Sequence, residues 1–162
     1  MSDERDYDVI IVGGGPAGLS AALVLGRCRR SVLVIDAGHP RNFASRAAHN
    51  FLTRDGIPPH QLLRLGREEI AAYGVEFRQG VVADARCLSP GFRVEMLSGE
   101  SATSRKILLA TGVTDTIPDI PNAEPFYGLG LHHCPYCDAY EYADQPIGTV
   151  GTPRKALRLA AN

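Results

Sequence analysis

Apolar positions along this chain fall into two kinds of run, and their order predicts the architecture. Val9-Ile10-Ile11-Val12, Val32-Leu33-Val34-Ile35 and Ile107-Leu108-Leu109-Ala110 are unbroken, the pattern of parallel strands covered on both faces. Between the first two, Leu19 to Leu25 reads as a helix rich in Ala and Leu. From His60 to Tyr73 the spacing of Leu62, Leu63, Gly66, Ile70 and Tyr73 is helical, and Gly74 is a natural stop. Elsewhere the apolar positions alternate. Val75 to Arg78 reads as a strand leading to Gly80-Val81-Val82. Phe92, Val94 and Met96 alternate with Arg93 and Glu95 between turns at Ser89-Pro90-Gly91 and Ser98-Gly99-Glu100, and a further strand runs from Ser101 to Arg105. Such an order predicts an α/β, Rossmann-like three-layer domain with a small antiparallel β insertion.

Ile117-Pro118-Asp119-Ile120-Pro121 is expected to be an extended linker, because each proline fixes its own φ and restricts the residue before it. The domain boundary is placed there, giving residues 1–116 and 117–162. Beyond it comes an aromatic stretch (Phe126, Tyr127, Tyr136, Tyr140, Tyr142). Ile147 to Gly151 then reads as a strand entering a glycine turn, followed by a helix over Ala156 to Ala160, the start of a second nucleotide-binding-like domain.

Composition narrows the classes. An apolar content of 44% with 22% charged residues is ordinary for a globular chain, and 162 residues suffice for one well-buried core. A net charge of −1 gives no electrostatic reason to expect nucleic acid or an anionic membrane. The start, MSDERDYD, is polar and no apolar run could span a bilayer, so a cytoplasmic location is the default expectation. Four cysteines in that setting are reduced thiols unless they do redox work. Cys28 and Cys87 stand alone and are expected to be buried or half-buried structural thiols.

The first strand–helix junction carries chemistry. Gly13, Gly15 and Gly18 have G-x-G-x-x-G spacing directly after the strand. The first allows a tight turn, the second lets a pyrophosphate approach the backbone, and the third lets helix pack close to sheet. Pro16 suits the first helical position, where its missing N–H would have had no partner. The helix start thus aims free N–H groups at phosphate. The second strand ends on Asp36, eighteen residues beyond Gly18, placed to accept hydrogen bonds from a ribose. The bland alternative is a glycine-rich turn without a ligand. Strand, turn, helix and acid together favour dinucleotide binding.

Residues 37–59 form a long loop, rich in Gly and Pro. Its polar set (His39, Arg41, Asn42, His49, Asn50) and its apolar Phe43, Phe51 and Leu52, expected to be buried, suggest an ordered loop over a cofactor; a plain solvated loop is the alternative. In Cys134-Pro135-Tyr136-Cys137 the flanks choose among three readings. A zinc site needs a second ligand pair, and His132 and His133 lie too close in sequence to close a tetrahedron comfortably. A c-type haem needs His after the second cysteine, where Asp138 stands. There remains a redox dithiol, with Asp138 able to move a proton during exchange.

A nucleotide-binding βαβ followed by such a dithiol resembles the low-molecular-weight thioredoxin reductases, within the FAD/NAD(P)-dependent pyridine nucleotide-disulfide oxidoreductases. V-G-G-G-P-A-G-L at 12–19, L-A-T-G-V at 109–113, the I-P linker and C-P-Y-C-D at 134–138 carry the resemblance over essentially the whole chain. It implies an FAD-binding first domain. The flavin nucleotide would touch Gly13, Gly15, Pro16, Ala17, Gly18, Asp36, Ala37, Arg41, His49, Asn50, Val82, Ala110, Thr111 and Gly112. It implies that Cys137 is the sulfur nearer the isoalloxazine, that Cys134 attacks the partner disulfide, and that Asp138 is the acid. The implied partner is a thioredoxin-like protein disulfide or a small dithiol or disulfide; a homodimer is expected, and no metal.

Two departures from that family stand out. Its second domain binds NADPH through G-x-G-x-x-A, whereas Gly151-Thr152-Pro153-Arg154-Lys155-Ala156 places Pro153 at the second glycine, removing an N–H and adding bulk. That makes NADPH doubtful. The family chain is also longer and returns to the FAD domain with a Gly-Asp motif; no Gly-Asp dipeptide occurs here, as in a fragment or a natural truncation. Gly-Thr-Pro and the Tyr-Glu at 140–141 also resemble flavin-dependent dithiol oxidases, which pass electrons to oxygen, although that group tends to carry His at the place of Asp138. A nucleotide-binding or assembly module without turnover is a further reading. A glutaredoxin-like use of C-P-Y-C is rejected, because that motif opens its own domain early in the chain.

Overall fold

The computed structural model describes residues 6–117 and 119–161. By its contacts the chain divides into two units, Met1–Phe43 with His60–Asp115, and Ala44–Pro59 with Thr116–Asn162.

The first unit is built on one six-stranded sheet. Its strands are β1 (Tyr7–Val12), β2 (Val32–Asp36), β3 (Glu76–Gln79), β4 (Val82–Leu88), β5 (Gly91–Met96) and β6 (Ser101–Leu109), in the order β3-β2-β1-β6-β5-β4. β1 runs parallel to β2, with Val9 opposite Val32 and Val12 opposite Ile35, and parallel to β6, while β4, β5 and β6 form an antiparallel meander. Two helices complete the unit, α1 (Pro16–Arg27) and α2 (Pro59–Ala71).

Alternation along β1 and β2 divides the core between the two faces of the sheet, since successive side chains point oppositely. Ile11, Val32 and Val34 pack with Leu19 and Ala22 of α1 and with Leu63 and Ile70 of α2. Ile10, Leu33 and Ile35 pack on the other face with Val94, Met96 and Ala102 of the meander. The end of β5 reaches the exit of β3, where the N–H of Leu97 donates to the Val81 carbonyl (2.9 Å). Helices, parallel strands and meander are therefore the three layers.

Two sequence expectations need correction here. Ser101–Arg105 and Ile107–Ala110 are not separate strands but one, β6, and Ser104 is paired with both Phe92 of β5 and Tyr7 of β1. The polar residues of its first half follow from that doubled pairing, because one continuous strand passes from the meander into the parallel sheet. Its far end is also less covered than an apolar run implies, with Leu109 exposed to 68%. Cys28 and Cys87 are exposed, not buried. Cys28 caps the C-terminal end of α1, and Cys87 lies in the outward-facing half of the edge strand β4.

The second unit contains α3 (Pro135–Asp138), α4 (Pro153–Ala160) and two short 3-10 turns, Glu124–Phe126 and Ala139–Tyr142. The sequence puts Ala44–Pro59 in the first domain, yet its contacts belong to this unit. Asn50 Nδ2 donates to the Tyr136 carbonyl at 2.6 Å, and the backbone of Ala44 lies against Gly128, so closely that a Cβ there would stand 2.8 Å from it. Ile147 to Gly151 forms no strand among the described residues. Ile147 and Val150 are exposed, and a strand requires a neighbour to take its ladder hydrogen bonds. Phe43, Phe51 and Leu52 are likewise exposed, Leu52 to 90%.

Candidate functional site

The glycine turn joining β1 to α1 is held from three sides. The N–H of Gly13 donates to the Ile35 carbonyl at 2.8 Å, and the N–H of Ala110 to Val12 at 2.8 Å. Gly13 has φ +108°, a conformation open to glycine, and a Cβ there would strike the Ala110 carbonyl. At Gly18 a Cβ would strike the carbonyl oxygen of Gly13, so only glycine lets α1 sit this close to the turn. Gly15 differs. It caps α1 with extended backbone (φ −73°, ψ −179°), and a Cβ added there meets nothing within 4 Å. Pro16 is the first residue of α1, and both Pro16 and Ala17 are exposed.

Asp36 closes the turn from β2. Its Oδ2 accepts from the N–H of Gly14 and its Oδ1 from that of Gly38, both at 2.5 Å. Ala37 follows, exposed, while Thr111 and exposed Gly112 (φ +67°) continue from Ala110 at the end of β6. The structure thus gathers Gly13, Gly15, Pro16, Ala17, Gly18, Asp36, Ala37, Ala110, Thr111 and Gly112 at one end of the sheet, where β1, β2 and β6 all finish. The other two candidates of this unit have protein partners. Arg41 makes a bidentate pair with Asp115 (2.7 and 2.6 Å), and Val82 packs against the core under the meander.

These residues fit a dinucleotide. An unfilled space at Gly15 leaves room for a pyrophosphate at the start of a twelve-residue helix, whose first N–H groups lack intrahelical partners.

The second unit holds the cysteine pair. Cys134 and Cys137 form a disulfide across α3 with Cα atoms 5.4 Å apart, inside the usual range. Cys137 is the more exposed of the two. Asp138, the last residue of α3, places Oδ1 3.4 Å from Nδ1 of His132; the two side chains are 17% and 18% exposed. His132 Nε2 lies 3.2 Å from the Tyr142 hydroxyl, which donates to the Leu129 carbonyl at 2.7 Å. His49 stands between two carboxylates, Nδ1 3.5 Å from Asp55 and Nε2 3.4 Å from Glu141. His49 and Asn50, which the sequence puts at the cofactor, are thus tied to the segment around the disulfide.

Sequence reasoning weighed His132 only as a metal ligand and missed Tyr142. The signal is present in the sequence: His132 and Asp138 stand six residues apart on either side of the C-x-x-C, and α3, four residues long and ending on Asp138, is too short to carry them far apart. Pro153 also has a different place from the one its motif suggests. It is the first residue of α4, the position Pro16 holds in α1, so its missing N–H does not set the two turns apart. What differs is the cap, Thr152 in α4 and Gly15 in α1.

Known proteins resemble this chain in sequence and in fold. The pyridine nucleotide-disulphide oxidoreductase family matches residues 7–160. "Thioredoxin reductase tcpT" of Claviceps purpurea is 34% identical over 99% of this chain and 53% of its own. Among solved structures, that of HlmI superposes with a TM-score of 0.89 at 42% identity, covering 99% of this chain and 52% of HlmI. Thioredoxin reductase from Streptococcus pyogenes superposes with a TM-score of 0.88 at 27% identity, covering 96% of this chain and 51% of its own. The chain spans about half the length of the curated relatives it matches. With the Rossmann-like sheet, the glycine turn and the C-x-x-C disulfide in one chain, and a match from β1 to α4, this protein belongs to the pyridine nucleotide-disulphide oxidoreductases.

Proposed function

We propose that this chain is the part of a thioredoxin reductase-like flavoprotein in which electrons pass between FAD and the Cys134–Cys137 pair. The observation that carries this reading is the disulfide of C-P-Y-C-D, in a chain that also has an open phosphate cradle at Gly15. Bound FAD supplies two-electron exchange with a dithiol. Gly15 and the first turn of α1 accept the pyrophosphate, Asp36 accepts a ribose hydroxyl, and Ala110 to Gly112 border the nucleotide. In the dithiol state Cys134 attacks the disulfide of a thioredoxin-like protein or a small molecule, Cys137 resolves the mixed disulfide, and Asp138 moves the proton.

The electron source distinguishes two versions. A reductase takes electrons from NADPH; a dithiol oxidase takes them from small dithiols and gives them to oxygen. The Thr152 cap, which puts a side chain where α1 has the space of Gly15, favours the second. Anaerobic mixing of the flavin-loaded protein with NADPH or with a dithiol is the test. Rapid bleaching of the flavin by the dithiol, slow or absent with NADPH, supports the oxidase, and rapid bleaching by NADPH supports the reductase. A protein that retains no flavin and whose disulfide no dithiol reduces is a binding module, contrary to the proposal.

A further inference from the structure

The Cys134–Cys137 disulfide exchanges protons as well as electrons, and the structure indicates where one is held. A tyrosine hydroxyl has a single proton. Tyr142 donates its proton to the Leu129 carbonyl at 2.7 Å, so toward His132 Nε2, 3.2 Å away, it can only accept. Nε2 therefore carries a hydrogen. Nδ1, on the opposite side of the ring, faces Asp138 Oδ1 at 3.4 Å. An unprotonated Nδ1 facing an ionised carboxylate would set two lone pairs against each other in a largely covered site. One proton between Nδ1 and Oδ1, on either atom, removes that conflict.

We infer that His132, oriented by Tyr142, is the positioning residue that keeps a transferable proton shared with Asp138 for the thiol–disulfide step. This rests on the dithiol reading above and adds to it the source of the proton. The reaction balances as follows. A dithiol R(SH)2 ionises one thiol, and its thiolate bonds to one cysteine sulfur. The Cys134–Cys137 bond breaks, and the released cysteine thiolate takes the proton shared by Asp138 and His132. The second R thiol then gives up its proton, which restores the shared one, and its sulfur displaces the other cysteine. That cysteine takes the proton lost by the first R thiol. R leaves as a disulfide; two electrons and two protons have reached the cysteines.

The neighbouring histidines have partners of their own. His133 lies 3.3 Å from the Tyr127 hydroxyl, and Glu141 and Asp55 flank His49. Among the described residues, Asp138 and Tyr142 are the groups that face the His132 ring nitrogens.

The test uses the oxidised full chain and dithiothreitol, following the appearance of Cys134 and Cys137 thiols by alkylation as pH is varied. Wild type and Tyr127→Phe, a change outside the His132, Asp138 and Tyr142 contacts, are expected to share one profile containing an ionisation besides that of the reductant. His132→Gln keeps a donor toward Tyr142 but holds no ring proton. It is expected to lose that ionisation and to react roughly tenfold more slowly on the acid side, a modest share of what acid–base catalysis supplies. A wild-type profile in His132→Gln would overturn the role of His132 while leaving the dithiol reading intact. A wild-type disulfide that dithiothreitol cannot reduce would overturn both. A measurement that needs no variant is the ring 15N spectrum of His132 in wild type. Protonated Nε2 is the expected result; a neutral ring with its hydrogen on Nδ1 alone would overturn the inference whatever the variants do.

Discussion

Adding one methyl group at Gly15 and at Gly18 should have opposite consequences, although the two glycines are three residues apart. At Gly18 the new Cβ would overlap the Gly13 carbonyl oxygen and come within 3.1 Å of its carbon and 3.4 Å of Ile11 Cγ2. Gly13 cannot retreat, since its N–H is bonded to Ile35 and its φ is +108°. Relief requires α1 to move off β1, disturbing Leu19 and Ala22 in the core. Overpacking of this kind costs about 1–3 kcal/mol, and the better helix propensity of Ala returns about 1 kcal/mol. Because the atom struck is backbone and cannot swing aside, the cost lies at the upper end of that range, and Gly18→Ala should destabilise by about 2 kcal/mol. At Gly15 a Cβ meets nothing and the backbone is already one that alanine adopts. The poorer cap costs less than about 1 kcal/mol, offset by about 0.4–1 kcal/mol from a stiffer unfolded chain. Thermal unfolding should place Gly15→Ala within a degree or two of wild type and Gly18→Ala roughly 2–8 °C below it. Titration with FAD, followed by quenching of flavin fluorescence, should show Gly15→Ala binding at least about tenfold more weakly, a loss of about 1.4 kcal/mol. Equal stability losses in the two variants would refute the packing argument. Gly15→Ala binding FAD like wild type would refute the cradle.

Asp36→Asn keeps one acceptor for Gly14 or Gly38 and loses the other, so urea unfolding should show a loss of about 1.5–3 kcal/mol, the range for a hydrogen bond to a charged group. Stability at the base of the sheet should follow pH through Tyr7 and Glu76. The Tyr7 hydroxyl, and then Arg78, hold the Glu76 carboxyl below its ordinary 4.5, so that contribution is present above 4.5 and drains away as pH falls through the depressed folded value. Burial, and then the bond to Glu76, push Tyr7 up to about 12, so its contribution is lost as pH rises from 10.0 through that value. The deficit of Tyr7→Phe against wild type, read from urea midpoints, should be constant near neutrality and shrink at both extremes. Thiol titration of the native oxidised chain should find Cys28 and Cys87 alone, and reduction should add Cys134 and Cys137. Because the disulfide closes so short a loop, Cys134→Ser should lower stability by no more than about 2 kcal/mol.

The sequence was most informative where local pattern and tertiary need coincide. Three apolar runs at Val9, Val32 and Ile107 became the centre of the sheet, and Gly13 and Gly18 have their required spacing because backbone must meet backbone there. Less legible was anything that depended on who pairs with whom. Ser101–Leu109 reads as two strands because its first half is polar, and only the pairing of Ser104 with both Phe92 and Tyr7 makes it one. The exposure of Cys28, Cys87 and Phe43 likewise has no sequence signal, since a thiol or a ring at the end of an element packs only if something lies opposite it. The protein partners of His49 and Asn50, which are Glu141, Asp55 and the Tyr136 carbonyl, also have no sequence signal, because they include groups far along the chain and proximity of that kind is decided by the fold of the second unit.

The central claim is that flavin and the Cys134–Cys137 pair form one electron-carrying unit. Anaerobic titration of the flavin-loaded chain with a dithiol, read by flavin absorption and by alkylated thiols together, tests it most directly. The account predicts uptake of one dithiol equivalent by the disulfide and a second by the flavin, with Cys137→Ser losing both the first equivalent and the bleaching. Flavin that bleaches equally well in Cys137→Ser would contradict it.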